Sequence, residues 1–328
     1  MSKRIVVLAL GGNAILPARG AATVERQYRN VDATARQIAD LIKHRYKVVI
    51  THGNGPQAGS LLIQQEQAQR LVPGQPLDIC DAMTQGQIGY MLQNRLAFHL
   101  HAMCQRDIPV CTIITQVEVA ADDPAFRRPT KPIGPFYTRA EAQRLQHEHR
   151  AHLFKEVDPH HPRGWRRVVA SPRPLAVVES SSLLQLLDNH VVVVTCGGGG
   201  VPVVREADGN LRGVEAVIDK DWAACLLAKV VDADFLMILT DVEKVAINWK
   251  MKNERLLDHL TVSQARAYHQ RGHFPEGSMG PKVLASAQFV ENGGEAAVIT
   301  SLRKARAALD GKTGTWIVPD PRTRPAGR

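Results

Sequence analysis

Three short apolar runs in this chain each end in a glycine-rich turn, and that repetition restricts the fold more than any other feature. Ile5-Val6-Val7-Leu8-Ala9-Leu10 leads into Gly11-Gly12-Asn13, Lys47-Val48-Val49-Ile50-Thr51 into His52-Gly53-Asn54-Gly55, and Val191-Val192-Val193-Val194-Thr195-Cys196 into Gly197-Gly198-Gly199-Gly200. Continuous apolar runs bounded by glycine suit parallel strands covered on both faces. In open α/β sheets the ligand sits beyond the carboxyl ends of such strands. Glycine there lets backbone N–H groups approach a phosphate closely, and a following helix N-terminus adds a favourable dipole. The chain is expected to be an α/β protein with an anion-binding rim at one end of its sheet.

Between these runs the pattern turns helical. Val31, Ala35, Ile38, Leu41 and Ile42 recur at helical spacing within residues 22–43, and residues 57–71 and 84–104 read as two further helices. Strands alternating with helices imply a mainly parallel sheet. From Asp122 to Pro174 the rhythm breaks, in a stretch rich in Arg and His that holds Pro124, Pro129, Pro132, Pro135, Pro159, Pro162, Pro172 and Pro174. That much proline does not suit a sheet core. Residues 122–174 are therefore expected to form an inserted excursion of the kind that makes lids. The rhythm resumes with strands over 234–240, 296–300 and 314–318 and a helix opened by Gly280-Pro281-Lys282.

With 328 residues, 44% of them hydrophobic, the chain can bury one large core or two lobes. Its five cysteines are odd in number and show no CxxC spacing, which signals neither a disulfide framework nor a zinc knuckle and fits a reducing cytoplasm. The N-terminal apolar run meets glycine too soon for a signal peptide, and no stretch approaches the ~18 apolar residues of a membrane span. A net charge of +9 raises nucleic acid as a partner, but the basic residues are scattered and aromatics make up only 5% of the chain. Anionic small substrates account for the surplus equally well. The histidines His147, His149, His152, His160 and His161 lack the cysteine partners and spacing of a structural zinc site and read as a solvated surface, so no metal ligands are assigned.

The segment Glu215-Ala216-Val217-Ile218-Asp219-Lys220-Asp221 sets a lysine between two carboxylates directly after an apolar run. A buried Lys–Asp pair costs more to desolvate than it returns unless its charge is used. Phosphoryl transfer is the commonest chemistry that needs a positioned ammonium. A rival reading comes from Gly53-Asn54-Gly55-Pro56-Gln57-Ala58, which fits the G-x-G-x-x-A of Rossmann-type dinucleotide-binding oxidoreductases. Pro56 disturbs the turn that motif needs, and the acid expected after a second strand is absent.

Taken in order, the motifs Leu10-Gly11-Gly12-Asn13-Ala14, His52-Gly53-Asn54-Gly55-Pro56-Gln57, Thr84-Gln85-Gly86-Gln87-Ile88-Gly89-Tyr90, Pro129-Thr130-Lys131-Pro132-Ile133-Gly134-Pro135, Cys196 through Gly200, Val217 through Asp221 and Gly277-Ser278-Met279-Gly280-Pro281-Lys282 resemble the carbamate kinases of the amino acid kinase family. The resemblance implies a three-layer α/β/α sandwich with a mainly parallel open central sheet. It also implies one domain made of an acceptor lobe over 1–215 and a nucleotide lobe over 216–328, with residues 122–174 as a small protruding lid subdomain. The implied reaction is reversible phosphoryl transfer between ATP and carbamate, giving ADP and carbamoyl phosphate and run toward ATP in arginine or other nitrogen catabolism. Magnesium would arrive with the nucleotide, the chain would form a homodimer, and neither nucleic acid nor membrane would be a partner.

By the same resemblance Lys131, Lys220 and Lys282 match active-site lysines, and Asp221 matches the aspartate that orients them. Lys131 and Lys220 fall to the acceptor and the moving phosphoryl, and Lys282 to the nucleotide phosphates. The backbone at Gly11, Gly12, Asn13, Gly53, Asn54 and Gly55 would cradle the anions, and Thr240, Asp241 and Met279 would meet the nucleotide. Lys282 stands near a helix start, beside the positive dipole end, an oddity that an anion would relieve. A non-catalytic or different-substrate member of the family is the nearer alternative, and retention of the three lysines and the aspartate argues against loss of catalysis. Two segments depart from the family pattern: Val157 through Pro162, where relatives have a shorter turn, and Asn248-Trp249-Lys250-Met251-Lys252-Asn253, in place of a Gly-Lys-Pro turn beside the nucleotide.

Overall fold

A computed structural model describes residues 4–12, 15–16, 23–44, 46–105, 107–149, 152–275 and 277–321. The first third of the chain forms β1 (Ile5–Leu10), α1 (Val24–Lys43), β2 (Lys47–His52), α2 (Gly55–Ala68), α3 (Leu77–Cys104), β3 (Val110–Thr112), β4 (Gln116–Val119) and the single turn α4 (Pro124–Arg127). Helix α1 starts where the Thr23 side chain accepts from the Arg26 N–H, with Glu25 in the first turn. Helix α2 opens at Gly55, two residues before the expected start, because Pro56 falls in the first turn, where its missing N–H costs nothing. Helix α3 likewise begins at Leu77 rather than at 84. Its opening turns bury Leu77 and Cys80 against Leu62 of α2 and Ile133, a contact between distant segments that local periodicity does not reveal.

The proline-rich excursion folds as β5 (Lys131–Tyr137), α5 (Arg139–Glu148), β6 (Leu153–Glu156) and β7 (Trp165–Val169), with strand order β5-β7-β6 and a small core of Tyr137, Ala142 and Phe154. Sheet structure was not expected from so much proline. The residues are tolerated because Pro132 and Pro135 lie on an edge strand, whose pairing with β7 slips between Ile133 and Tyr137. Pro174 already belongs to β8 (Pro174–Val177), in a separate four-stranded sheet. There follow α6 (Ser180–Asp188), β9 (Val192–Val194), β10 (Val201–Arg205) and β11 (Leu211–Gly213). Strand β9 is shorter than the apolar run, because Cys196 turns into the left-handed region at φ 50° and takes the chain out of the sheet.

The remainder comprises α7 (Lys220–Val230), β12 (Phe235–Thr240), β13 (Val245–Ile247), β14 (Arg255–Leu257), β15 (His259–Thr261), α8 (Val262–Gln270), α9 (Met279–Glu291), β16 (Ala296–Ser301), α10 (Ala305–Leu309) and β17 (Thr315–Val318). The central sheet has the order β15-β17-β16-β12-β1-β2-β9-β3. All neighbours from β16 to β3 are parallel; β17 runs antiparallel to β16, and β15 parallel to β17. Alternate side chains of one strand enter two different cores. Val6, Leu8 and Leu10 join residues of α1, α3 and α10, while Val7 and Ala9 join residues of α6, α7 and α9. Full burial of a side chain such as Leu8 or Ile38 contributes about 1.5–3 kcal/mol. The result is a three-layer α/β/α sandwich, and the pairing of Leu10 with both His52 and Leu239 brings the carboxyl ends of β1, β2 and β12 level.

Candidate active site

The glycine turns meet above those level strand ends. Gly11 N–H donates to the Leu239 carbonyl (2.9 Å) and Gly53 N–H to the Leu10 carbonyl (3.0 Å). A Cβ on Gly11 would stand 2.9 Å from that same carbonyl, so the turn between β1 and β12 closes only with glycine. Above them lies an open cleft of about 700 Å³. Gly12, Gly53, Asn54 and Gly55 line one wall, Lys131 and Arg166 reach it from the excursion, and Lys220, Asp221 and Lys282 line the rest. Asn13 lies outside the described residues.

The lysines are held in two pairs of contacts. Asp219 is the N-cap of α7: its Oδ1 accepts from the Asp221 N–H (2.9 Å) and its Oδ2 from Lys131 Nζ (2.8 Å). Lys220 and Asp221 are therefore the first two residues of that helix. Asp221 Oδ1 accepts from Lys220 Nζ (2.5 Å) and Oδ2 from Lys282 Nζ (2.8 Å), with only 4% of its side chain exposed. Burial alone would disfavour charge on Asp221, but the two ammonium groups override it and hold the carboxyl down at about 2. Burial lowers Lys220 from its ordinary range; the Asp221 charge opposes the fall and the Lys282 charge adds to it.

Three ammonium groups against two carboxylates leave one positive charge in excess, which suits an incoming phosphate. The expectation that Asp221 orients all three lysines is corrected here: it holds two, and Lys131, arriving on the edge strand β5, is held by Asp219. The helix-start oddity of Lys282 is met by the Asp221 carboxylate. Helices α2 and α9 both begin at the cleft without a side-chain cap, so their positive dipole ends face it, although Pro56 and Pro281 carry no N–H and Gly280 N–H is already given to the Pro275 carbonyl (2.9 Å).

The floor of the cleft was not foreseen. The Asn54 side chain turns away from the cap role and donates to Asp81 Oδ1 (3.0 Å) and Thr84 Oγ1 (2.9 Å). Gly198, at φ 71°, packs so closely on Asn54 that a Cβ there would stand 2.4 Å from the amide nitrogen. Asp81 lines the cleft yet is buried, and burial, against the Asn54 hydrogen bond, pushes its carboxyl up to about 7. A raised folded-state pKa means the unfolded chain ionises first. Stability is therefore fully present below about 4 and is lost as pH rises toward 7. Asp81→Asn is expected to raise stability at pH 8 by up to about 4 kcal/mol, at about 1.4 kcal/mol per pK unit, and to change it little at pH 4. Thermal melting at both pH values checks this, and equal shifts would contradict it.

A second cavity of about 200 Å³ adjoins the cleft, the two sharing Ser278 and Lys282 as lining residues. Thr240, Asp241 and Met279 gather there, beside Val242, Trp249 and Phe274. Among the described residues no three His, Cys, Asp or Glu side chains converge as metal ligands.

The sequence pattern of the amino acid kinase family matches residues 4–301. The carbamate kinase of Thermococcus kodakarensis is 50% identical over 318 residues, covering 95% of this chain and 98% of that protein. The carbamate kinase of Pyrococcus furiosus is 49% identical over 321 residues, covering 97% and 100%. Among solved structures, carbamate kinase from Giardia lamblia bound to AMP-PNP superimposes with a TM-score of 0.90 at 44% identity, over 98% of this chain and 100% of that one. The chain belongs to the amino acid kinase family and is a phosphotransferase. Within that family its similarity at nearly full length runs to the carbamate kinases.

Proposed function

We propose that the chain catalyses reversible phosphoryl transfer between ATP and carbamate, giving ADP and carbamoyl phosphate. The observation that carries this is the buried Asp221 bridging Lys220 and Lys282 where two cavities meet, one large and rimmed by glycine turns, the other small and largely apolar. Phosphoryl transfer spreads negative charge over equatorial oxygens in a loose transition state, so positioning and neutralisation supply most of the catalysis. Carbamate is already an anion and needs no general base. Lys220 and Lys131 serve the moving phosphoryl and the acceptor, Lys282 serves the nucleotide phosphates, and the turns at Gly11, Gly12, Gly53, Asn54 and Gly55 cradle the anions.

Thr240, Asp241 and Met279 take the nucleoside end. Both Asp221 oxygens and one oxygen of Asp219 are already given to lysines, a donor set that fits a magnesium ion brought by the nucleotide and held mostly by phosphate and water. When bound, such an ion would supply positive charge that neutralises the nucleotide phosphates.

Residues 1–215 form the acceptor lobe in this reading, 216–328 the nucleotide lobe, and 122–174 the lid. The order of the sheet supports the division, since β3, β9, β2 and β1 lie on one side and β12, β16, β17 and β15 on the other. Carbamoyl phosphate is a mixed anhydride and a stronger phosphoryl donor than ATP, which favours ATP formation in arginine or other nitrogen catabolism. The five free cysteines suit the cytoplasm, and no helix among the described residues is long and apolar enough to cross a membrane. Exposed Ile79, Met83, Tyr90 and Phe98 on α3 support a homodimer. The test is a coupled assay for ATP from ADP, magnesium and carbamoyl phosphate. ATP formation is expected; none from the folded chain would overturn the function, and turnover only with another acyl phosphate would move it to a different acceptor.

A further inference from the structure

We propose that Asp81 selects the substrate by accepting a hydrogen bond from the amino group of carbamoyl phosphate, so that this chain rejects acyl phosphates with a methyl or other non-donating group at that place. The inference rests on the function proposed above and names the residue that sets its specificity. Most of the polar lining of the cleft invites negative charge: the glycine turns offer N–H groups, and Lys131, Lys220, Lys282 and Arg166 supply cations. Asp219 and Asp221 also line it, but both are engaged by lysines. Asp81 differs. It forms no ion pair among the described residues, and a carboxylate on the wall of an anion-binding cleft opposes any ligand that presents only oxygens to it.

The carboxylate is also short of donors. Its Oδ1 accepts from Asn54 Nδ2 (3.0 Å), while Oδ2 makes no hydrogen bond among the described residues and only 3% of the residue is exposed. A carboxylate can accept about four hydrogen bonds, and a buried one left underfilled calls for an incoming donor. Burial pushes the Asp81 carboxyl up to about 7, a penalty that a ligand N–H would offset. Its position follows from Asn54, whose side chain is fixed by Asp81 and Thr84 (2.9 Å) and by the close approach of Gly198. Asp81 therefore stands one hydrogen bond from the Gly53-Asn54-Gly55 turn that cradles the anion. The oxygens of a carbamoyl phosphate accept and its amino group donates, so with the oxygens on the turns and the lysines the amino group is the part left to face Asp81. A methyl group in its place would leave the buried carboxylate without a donor, the arrangement by which sites reject an analogue most strongly.

The test uses the full chain with ADP and magnesium and compares carbamoyl phosphate with acetyl phosphate in the wild type, Asp81→Asn and Asp81→Ala. The wild type is expected to prefer carbamoyl phosphate by at least about 100-fold in kcat/KM. Asp81→Asn keeps an oxygen for Asn54 and turns an amide N–H toward the ligand. Its kcat/KM for carbamoyl phosphate should fall roughly 10- to 100-fold, while that for acetyl phosphate stays within about threefold and the KM for ADP moves less than about twofold. Asp81→Ala should narrow the preference in the same direction. Because Asp81→Asn is also expected to melt higher at pH 8, a lost contact with substrate is separated from a damaged fold. A merely structural Asp81 would lower both donors together, so parallel losses, or an unchanged preference in both variants, overturn the proposal and leave the function standing. A wild type that uses the two donors within about tenfold of each other does the same. Failure of the folded wild type to form ATP from carbamoyl phosphate overturns the function and this inference with it.

Discussion

Asp221→Ala is expected to lower turnover by on the order of 1,000-fold and stability by about 3–5 kcal/mol, the usual cost of leaving a buried charge without its partner. The carboxylate is almost fully buried and each oxygen receives one ammonium, so alanine leaves Lys220 and Lys282 facing each other with nothing between them. Their mutual repulsion would drive one to lose its proton, and the site would lose the charge it exists to present. Asp221→Asn separates the mechanisms. Asn keeps one oxygen acceptor and the shape, so an orienting carboxylate predicts a markedly smaller loss, while a proton-accepting one predicts Asn as damaging as Ala. Turnover at saturating ADP and magnesium decides between them, and matched losses would remove the orienting role. The pH dependence follows the same pair: with the folded carboxyl held at about 2, its contribution is complete above the ordinary carboxylate range and fades only as pH falls toward 2.

Lys220→Ala should reduce turnover by about 100- to 1,000-fold, as the loss of one preorganised charge donor typically does. Its ammonium is set by Asp221 and its stem passes 3.6 Å from where a Cβ on Gly53 would lie, so the side chain is held on both sides before substrate arrives. The loss should fall mainly on kcat, with ADP affinity changing much less, because the charge it opposes develops in the transition state. Near-normal turnover in the folded variant would withdraw the role assigned to Lys220.

The apolar runs and their glycine turns were legible because each is a local pattern: strands buried on both faces leave continuous runs, and turns at strand ends demand glycine, whereas only Lys220, set between two carboxylates, stood out locally and Lys131 and Lys282 were named by the family resemblance. What remained hidden depends on partners distant in the chain. Asp81 lies within a helix and looks like any acidic helix residue until Asn54 and the cleft bury it. Two carboxylates flank Lys220, and nothing local tells that Asp219 faces Lys131 from 88 positions away while Asp221 faces Lys282. Pro132 and Pro135 argued against a sheet because the sequence does not distinguish an edge strand from a central one. The turn at Asn248 and Lys250, both in the left-handed region, carries no glycine to announce it.

Asp219 gives the site two grades of permanence. Its contact with α7 is a helix cap, but its contact with Lys131 is an ion pair with 35% and 21% of the two side chains in water. Such a half-exposed pair contributes at most about 1 kcal/mol, so detaching it changes an equilibrium by a factor of about five, within reach of ordinary thermal fluctuation. The Lys220–Asp221–Lys282 unit has no comparable freedom. The Lys131 ammonium can leave Asp219 and return by rotation of its own side chain while the other two charges stay fixed. A phosphate offers Lys131 a stronger counter-ion than Asp219 does, so an incoming anion would itself act as the fastener that fixes this third charge over the cleft.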